Sequence, residues 1–301
     1  MNDIIIVGGG PAGLTAALYA GRAELKTILL EKGFQGGQMV NTNIIENYPG
    51  IKQITGPDIS NAMYEHAKEF GAQILFEEVL DIQIEDSIKR IITPSKTYES
   101  KALILSMGTK SRELGLESEQ ALVGRGISYC ATCDGGFYKD QVVAVAGGGD
   151  AAVEDALYLS RIAKKVYLVH RRDSLRAAKY LQKKLFESNV EILWDSTVSE
   201  LYFEEILTGI KVTNIKDYNT MDLDIDGLFI AIGGIPTTNM VKDVVELTPE
   251  GYIITDENCL TSVEGVFAIG DAREKQLRQI VTAVADGAIS IDQAQRYLYR
   301  N

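Results

Sequence analysis

Two cysteines, Cys130 and Cys133, stand three positions apart in the segment CATCDG. Such a pair serves as part of a zinc site, as a structural disulfide or as a redox-active dithiol. Zinc needs about four ligands, and the chain holds only one further cysteine and two histidines, so we expect no metal. A structural disulfide is unusual in the cytosol. The spacing therefore predicts a redox pair, in which one thiolate attacks a disulfide and the second cysteine resolves the mixed disulfide.

Asp134 directly follows this pair. It can protonate or deprotonate one of the sulfurs if desolvation raises its pKa. It can equally be a turn residue in front of two glycines. Composition favours neither interpretation.

A glycine turn near the N-terminus predicts a first dinucleotide site. Residues 4–13 read IIIVGGGPAG, a β-branched run followed by the GxGxxG pattern of Gly8, Gly10 and Gly13. In a βαβ unit these glycines let the pyrophosphate approach the N-terminus of the following helix. Glu31 lies 18 residues beyond Gly13, where an acid binds ribose hydroxyls. The first site should therefore take a dinucleotide with a free ribose.

A near-repeat of this unit begins in residues 142–152, which read VVAVAGGGDAA. Eighteen residues beyond Ala152 comes His170, followed by Arg171, Arg172 and Arg176. Arginines in the place of the ribose-binding acid predict a 2′-phosphate ligand, hence NADP(H). The alternative is a solvated basic face, because residues 161–184 hold nine Lys or Arg and one Asp. Two dinucleotide sites in one chain indicate a flavin and a nicotinamide that exchange electrons.

Length and charge limit the remaining possibilities. The chain has 301 residues, typical of about two domains. Lys plus Arg number 30 and Asp plus Glu 42, a net charge of −12, which argues against nucleic-acid binding. We find neither a signal peptide nor a run of roughly 20 apolar residues that would span a membrane. We therefore expect a cytoplasmic protein.

The predicted elements place the second unit inside the first. Residues 73–106 alternate as short antiparallel strands do, and a helix is expected over 58–70. Residues 266–271 read as a strand and the last 20 or so as a helix. The strand at 266–271 has no partner strand unless the first domain is discontinuous. We predict an α/β fold with two Rossmann-like dinucleotide-binding domains of the three-layer ββα type, over 1–112 plus 244–301 and over 113–243.

Several segments together resemble the low-molecular-weight, bacterial-type thioredoxin reductases, a class-II pyridine nucleotide-disulfide oxidoreductase group. The similarity runs over essentially the whole chain. The segments are GGGPAG at 8–13, GGQ at 36–38, ENYPG at 46–50, GRGISYCATCDG at 124–135, GGGDAAVE at 147–154, HRRDSLRA at 170–177 and FAIGDAREKQLRQI at 267–280.

The resemblance implies a homodimer with FAD in the first domain and NADPH in the inserted one. It implies FAD contacts from Gly8, Gly10, Pro11, Ala12, Gly13, Glu31, Lys32, Gly36, Gly37, Gln38, Asn47, Gly270, Asp271, Arg278, Gln279 and Ile280. It implies NADPH contacts from Gly147, Gly149, Asp150, Ala151, Ala152, His170, Arg171, Arg172 and Arg176. Asp271 would hold the ribityl chain, and the last helix would direct its positive end at the flavin ring.

The same resemblance implies a relay from NADPH through FAD to the Cys130–Cys133 disulfide and then to thioredoxin, with Asp134 as acid and base. Cys133 would lie close to the flavin, while the cysteine that attacks thioredoxin stays open. The inserted domain would rotate between the two half-reactions. No nucleic acid or membrane takes part.

One turn and one single residue depart from the family pattern. Ser106-Met107-Gly108-Thr109 replaces the usual Ala-Thr-Gly-Ala turn, and Asp150 stands where some relatives carry Asn. The charge of Asp150 would either weaken NADPH binding or cap the following helix, and we favour the cap.

Three other functions use similar residues. A ferredoxin-driven reductase or an oxygen-dependent dithiol oxidase has the same fold and cysteine pair, but no use for the HRRDSLRA segment. A flavin-binding redox sensor would use the pair as a switch.

Overall fold

The computed structural model describes residues 1–42, 45–85 and 87–300; Asn301, the last residue of the predicted first domain, lies outside them. The strands are β1 (Asn2–Val7), β2 (Thr27–Glu31), β3 (Gln73–Phe76), β4 (Asp81–Glu85), β5 (Ile88–Ile92), β6 (Thr97–Leu105), β7 (Thr109–Ser111), β8 (Ile127–Ser128), β9 (Val142–Gly147), β10 (Lys165–Val169), β11 (Glu191–Leu193), β12 (Ser196–Phe203), β13 (Leu207–Asn214), β14 (Thr220–Asp224), β15 (Gly227–Ala231), β16 (Gly234–Pro236) and β17 (Val266–Ala268). The α-helices are α1 (Pro11–Arg22), α2 (Gly56–Glu69), α3 (Ala131–Asp134), α4 (Asp150–Leu159), α5 (Lys179–Phe186) and α6 (Ile280–Leu298).

The chain divides into two compact units, the second of which is inserted into the first. Unit 1 comprises Met1–Lys110 and Ile235–Asn301, and unit 2 comprises Ser111–Gly234. The short strands β7 and β16 pair with each other where the chain passes from one unit to the other. The predicted boundaries lay at 112/113 and 243/244. Residues 235–243 group with unit 1 because Val241 is fully buried in its core, whereas the assignment of a cofactor to each domain stays a prediction.

Unit 1 is built on a seven-stranded sheet. Its order is β3-β2-β1-β6-β5-β4, and β17 pairs with the second half of β6. Neighbouring side chains of β1 enter different hydrophobic clusters, because successive residues of a strand point to opposite faces. Ile4 and Ile6 pack with residues of α1 and α6, while Ile5 and Val7 pack with Val241 and Ile253. Both faces of the sheet are therefore covered at β1, as expected for the parallel part of this mixed sheet.

Unit 2 repeats the same plan on a smaller scale. Five parallel strands lie in the order β11-β10-β9-β15-β8. One face packs against α4 and α5 through residues such as Val145 and Leu168. The other face packs through Ala144 and Leu228 against the antiparallel β12-β13-β14 sheet. The helices, the parallel sheet and the antiparallel sheet form three layers.

The structure confirms the predicted α/β class and its Rossmann-like strands. The helix expected over 58–70 is α2, and the C-terminal helix is α6. The prediction of antiparallel strands over 73–106 holds for β4, β5 and the first half of β6. It is wrong for β3, which pairs parallel to β2, because α2 lies between these strands and returns the chain in the same direction. Among the described residues, no helix is long and apolar enough to span a membrane.

Candidate redox and dinucleotide-binding sites

The CxxC segment forms a disulfide on a single helical turn. Cys130 is the N-cap residue of α3, and Cys133 lies within that helix. The two cysteines are bonded to each other, with their Cα atoms 5.3 Å apart. The backbone N–H groups of Cys133 and Asp134 donate to the Cys130 carbonyl at 3.2 and 3.1 Å. A turn of helix brings residues three apart onto one face, so the predicted pair is assembled.

The carboxyl group of Asp134 is held beside this turn by Ser128. The Ser128 hydroxyl donates to Asp134 Oδ2 at 2.6 Å and accepts the N–H of Cys130 at 3.1 Å. Burial raises the pKa of Asp134 above its ordinary value, and the hydrogen bond from Ser128 opposes this rise. A carboxyl group that keeps its proton to higher pH suits acid–base work next to a thiolate. This geometry favours the acid–base interpretation over a turn residue.

The first glycine turn is tightly enclosed by backbone. Gly8 has a φ of +107°, and a Cβ placed on it would lie 2.2 Å from the carbonyl oxygen of Ser106. Only glycine fits this position. Glu31, at the end of β2, accepts the N–H of Gly9 at 2.6 Å and that of Gly33 at 3.0 Å. The predicted ribose-binding acid is therefore fixed against the turn.

Two further segments that were predicted to bind FAD converge on this turn. The N–H of Gly36 donates to the carbonyl oxygen of Gly9 at 2.7 Å, and a Cβ on Gly37 would lie 3.2 Å from the Cα of Gly10. A Cβ on Gly270 would lie 3.1 Å from the Ala12 side chain. The structure thus brings residues 36–38 and 270–271 to the start of α1.

Asp271 offers the clearest sign of a ligand. Its Oδ1 is buried and has no hydrogen-bond partner among the described residues. Burial raises the pKa of Asp271, while the charges of Lys275 and Arg278 oppose that rise. Buried polar atoms are nearly always paired. An orphaned acceptor beside a glycine turn fits the hydroxyl-rich ribityl chain of FAD, so the residues present suit that cofactor.

The N-terminus of α6 lies at the end of the FAIGDAREKQLRQI segment, which was predicted to contact FAD. Gln279 is its N-cap residue and forms a capping box with Thr282. Asn47 donates to Gln279 Oε1 at 3.1 Å, so two predicted FAD contacts meet.

Three other predicted FAD contacts already have protein partners. The guanidinium group of Arg278 donates to the carbonyl oxygen of Asp271 at 3.4 Å and stacks on Tyr252, 4.1 Å from the ring centre. The ammonium group of Lys32 pairs with Glu78 at 3.0 Å on the surface. Gln38 donates to the carbonyl oxygen of Thr109 at 3.2 Å.

The second glycine turn has the same architecture with different chemistry. Gly147 has a φ of +156°, and a Cβ on it would lie 2.5 Å from both Ala152 Cβ and the carbonyl oxygen of Ala231. The buried ring of His170 lies against Gly148, as Glu31 does against Gly9. Its Nε2 bonds to the carbonyl oxygen of Ser174 at 3.0 Å. His170 therefore shapes the segment that carries the arginines.

The three arginines are available to a ligand. Arg171, Arg172 and Arg176 are exposed, and their guanidinium groups have no partner among residues 1–42, 45–85 and 87–300. The N–H of Arg176 donates to the carbonyl oxygen of Gly148 at 2.9 Å, which fixes this segment to the glycine turn. The site suits an anion next to the dinucleotide, as the 2′-phosphate of NADPH is.

The cap predicted for Asp150 is wrong. Gly149 is the N-cap residue of α4, and no side chain caps that helix. Asp150 instead accepts the N–H of Ala178 at 2.6 Å. From the first turn of α4, the carboxylate of Asp150 reaches the backbone of Ala178, the residue that precedes α5. Asp150 thus anchors the far end of the arginine segment.

Sequence reasoning missed two groups of residues. Ser128 carried no signal, because an isolated serine in a strand has many uses. Asp286 is buried with Arg273 and Lys275. Its signal was an acid in the small and apolar run AVADGAI.

Cys259, which we interpreted as packing, is fully buried, and burial raises the pKa of its thiol to about 12.

Two Rossmann-like units and a disulfide on a helical turn define a dinucleotide-dependent disulfide oxidoreductase. The chain belongs to the pyridine nucleotide-disulphide oxidoreductase family, whose pattern matches residues 2–287. FAD and NADPH are the cofactors of its thioredoxin reductase members, as predicted.

Three similar proteins are thioredoxin reductases. That of Listeria monocytogenes is 46% identical over 298 residues, which cover 98% of this chain and 93% of that protein. That of Bacillus subtilis is 44% identical and covers 98% of this chain and 94% of that protein. The crystal structure of the Streptococcus pyogenes enzyme superposes with a TM-score of 0.94 at 46% identity, and covers 100% of this chain and 99% of that one. These likenesses confirm the resemblance found in the sequence.

Proposed function

We propose that this chain is an NADPH-dependent thioredoxin-disulfide reductase that works as a cytoplasmic homodimer. The observation that carries the proposal is the Cys130–Cys133 disulfide beside the Ser128–Asp134 pair, in a chain with two dinucleotide-binding glycine turns. The names of the relatives support thioredoxin as the substrate.

The first glycine turn would hold FAD, which when bound supplies two-electron transfer between NADPH and a disulfide. Glu31 is placed to accept hydrogen bonds from a ribose, and Asp271 Oδ1 from the ribityl chain. The free N–H groups at the start of α1 would bind the pyrophosphate. Around the second turn, Arg171, Arg172 and Arg176 would bind the 2′-phosphate of NADPH, because guanidinium groups pair with phosphate through charged hydrogen bonds.

The cysteine pair would then perform thiol–disulfide exchange. A thiolate of the reduced pair attacks one sulfur of the thioredoxin disulfide, forms a mixed disulfide and releases one thioredoxin thiolate. The second cysteine of the pair attacks the first, which re-forms the Cys130–Cys133 bond and releases the second thioredoxin thiolate. Two electrons leave the pair, and two protons complete the thioredoxin thiols.

Asp134 would hold one proton for this cycle. When the disulfide of the pair is reduced, one of its sulfurs must be protonated or carry a charge in a half-buried site. A carboxyl group with a raised pKa can deliver that proton and later take it back. Ser128 fixes the carboxyl group in place through its 2.6 Å hydrogen bond.

The test is NADPH oxidation by FAD-loaded protein under anaerobic conditions, with NADH in parallel. We expect rapid NADPH consumption only when oxidised thioredoxin is present, little with NADH, and none with Cys133→Ser. Thioredoxin that has been reduced beforehand is the control and should give no turnover. The proposal fails if NADPH leaves the flavin oxidised, which would favour the ferredoxin-driven or sensor alternatives. It also fails if the flavin is reduced but thioredoxin does not accelerate turnover.

A further inference from the structure

A buried carboxylate on α6 contacts the turn that carries Asp271. Asp286 Oδ2 accepts the N–H of Gly270 at 3.0 Å and the ammonium group of Lys275 at 2.8 Å. Its Oδ1 accepts from the guanidinium group of Arg273 at 2.9 Å. One side chain thus binds the backbone at the start of the turn and two cations beyond it.

All three charges of this cluster are removed from water. The exposed fractions of the side chains are 8% for Asp286, 12% for Arg273 and 9% for Lys275. Buried ion pairs are weak stabilisers, because desolvation offsets most of their attraction. Stability alone therefore gives little reason for two cations around one acid, and a role in fixing a local geometry is a better account.

The geometry that the cluster fixes is that of Asp271. Gly270 has a φ of +69°, so the chain turns sharply immediately before Asp271. Asp286 accepts the N–H of Gly270 at this turn. It also pairs with Lys275, whose charge favours the ionised form of Asp271. The orphaned Oδ1 of Asp271 lies between these constraints. Fixing the turn holds that oxygen in a ligand-binding position before any ligand arrives.

We propose that Asp286 is a positioning residue for the flavin: through Gly270, Arg273 and Lys275 it holds the 270–275 turn so that Asp271 can accept hydroxyl groups of the ribityl chain. This inference rests on the proposed function, because it concerns the same cofactor. It assigns no contact with FAD to Asp286 itself.

A titration of FAD-free protein with FAD tests the proposal. Quenching of flavin fluorescence gives the Kd, and thermal unfolding of the FAD-free protein gives its Tm. Asp286→Ala should raise the Kd at least tenfold. Asp292→Ala is the matched control, since Asp292 lies on the exposed face of the same helix, where its carboxylate pairs with Arg296 at 3.0 Å and accepts a hydrogen bond from Gln293 at 3.2 Å. It should leave the Kd within twofold of the wild type.

A double variant separates positioning from stability. Asp286→Ala alone removes the ion-pair partner of two buried cations, Arg273 and Lys275, and will lower the Tm. Asp286→Ala with Lys275→Met returns the net charge of the cluster to its original +1, so the Tm should rise towards that of the wild type. The Kd should stay raised above that of Lys275→Met alone, which is measured in parallel because Lys275 itself acts on Asp271, and the visible circular dichroism of the bound flavin should remain altered.

Two outcomes overturn the inference. One is a Kd that recovers together with the Tm in the double variant, which would show that the cluster only stabilises the fold. The other is an unchanged Kd in folded Asp286→Ala. If the wild-type protein itself does not bind FAD, the proposed function fails instead, so the two failures are distinguishable.

Discussion

The hydroxyl group of Ser128 lies 2.6 Å from Oδ2 of Asp134 and is a donor to it. The hydroxyl oxygen of Ser128 also accepts the backbone N–H of Cys130 at 3.1 Å. One small side chain therefore links the acid to the backbone of the first cysteine. Ser128 therefore acts both on the protonation of Asp134 and on the position of the disulfide.

Replacing Asp134 by asparagine should slow thioredoxin reduction while the disulfide and bound flavin persist. General acid–base catalysis contributes roughly 10²-fold or more, and we expect a loss of kcat of about that size. Because burial raises the pKa of Asp134, its protonated form is lost as the pH rises through that raised value. The kcat of the wild type should therefore fall as the pH rises through that value. This alkaline limb of the pH profile should be absent in Asp134→Asn.

Asp140→Asn is the matched control for this experiment, since Asp140 is exposed and lies outside the cysteine turn. Its pH profile of kcat should match that of the wild type. A full alkaline limb in Asp134→Asn would exclude Asp134 as the proton carrier.

Removing the Ser128 hydroxyl should move the alkaline limb to higher pH. The hydrogen bond from Ser128 stabilises the ionised carboxylate and so lowers the pKa of Asp134 against the effect of burial. In Ser128→Ala only the effect of burial remains, and Asp134 keeps its proton longer. The pH profiles of kcat for the variant and the wild type measure this shift. A limb that moves to lower pH would contradict the coupling.

The arginine segment should determine the choice between NADPH and NADH. We expect Arg171→Gln with Arg172→Gln to raise the KM for NADPH about tenfold or more, since hydrogen bonds to charged groups contribute about 1.5–3 kcal/mol each. The KM for NADH should change less than about twofold. Lys183→Gln, in the same basic stretch but on the exposed face of α5, is the control. Equal losses for both nucleotides would support the solvated basic face instead.

Asp150 should act through its hydrogen bond to Ala178 rather than as a helix cap. Asp150→Ala removes that bond, which is worth about 0.5–1.5 kcal/mol, and should raise the KM for NADPH several-fold. Asp150→Asn keeps an acceptor and removes a negative charge from the start of α4, so its KM should equal or fall below that of the wild type. Steady-state kinetics on the two variants decide the matter, and identical effects would refute the anchoring role.

Much of this architecture could be predicted from local sequence. The two glycine turns, the helices α2 and α6 and the CxxC pair follow from spacing and periodicity. Long-range contacts could not be predicted in this way. The parallel pairing of β3, the anchoring of Ala178 by Asp150, and the Asp286 cluster all join residues that the fold, and not the sequence spacing, brings together. The orphaned oxygen of Asp271 belongs to the same class, because burial of one atom depends on every element around it.

The central claim is that the Cys130–Cys133 pair passes electrons to thioredoxin by disulfide exchange. The most direct measurement is trapping of the mixed disulfide. Each single variant, Cys130→Ser and Cys133→Ser, is incubated anaerobically with a thioredoxin that keeps one of its two cysteines, activated as a mixed disulfide with thionitrobenzoate so that the leaving thiolate departs, and the products are separated without reductant and identified by mass spectrometry. The account predicts a covalent one-to-one adduct through the remaining cysteine in one variant, released by dithiothreitol. Absence of an adduct in both variants, while the wild-type protein still reduces thioredoxin with NADPH, would contradict it.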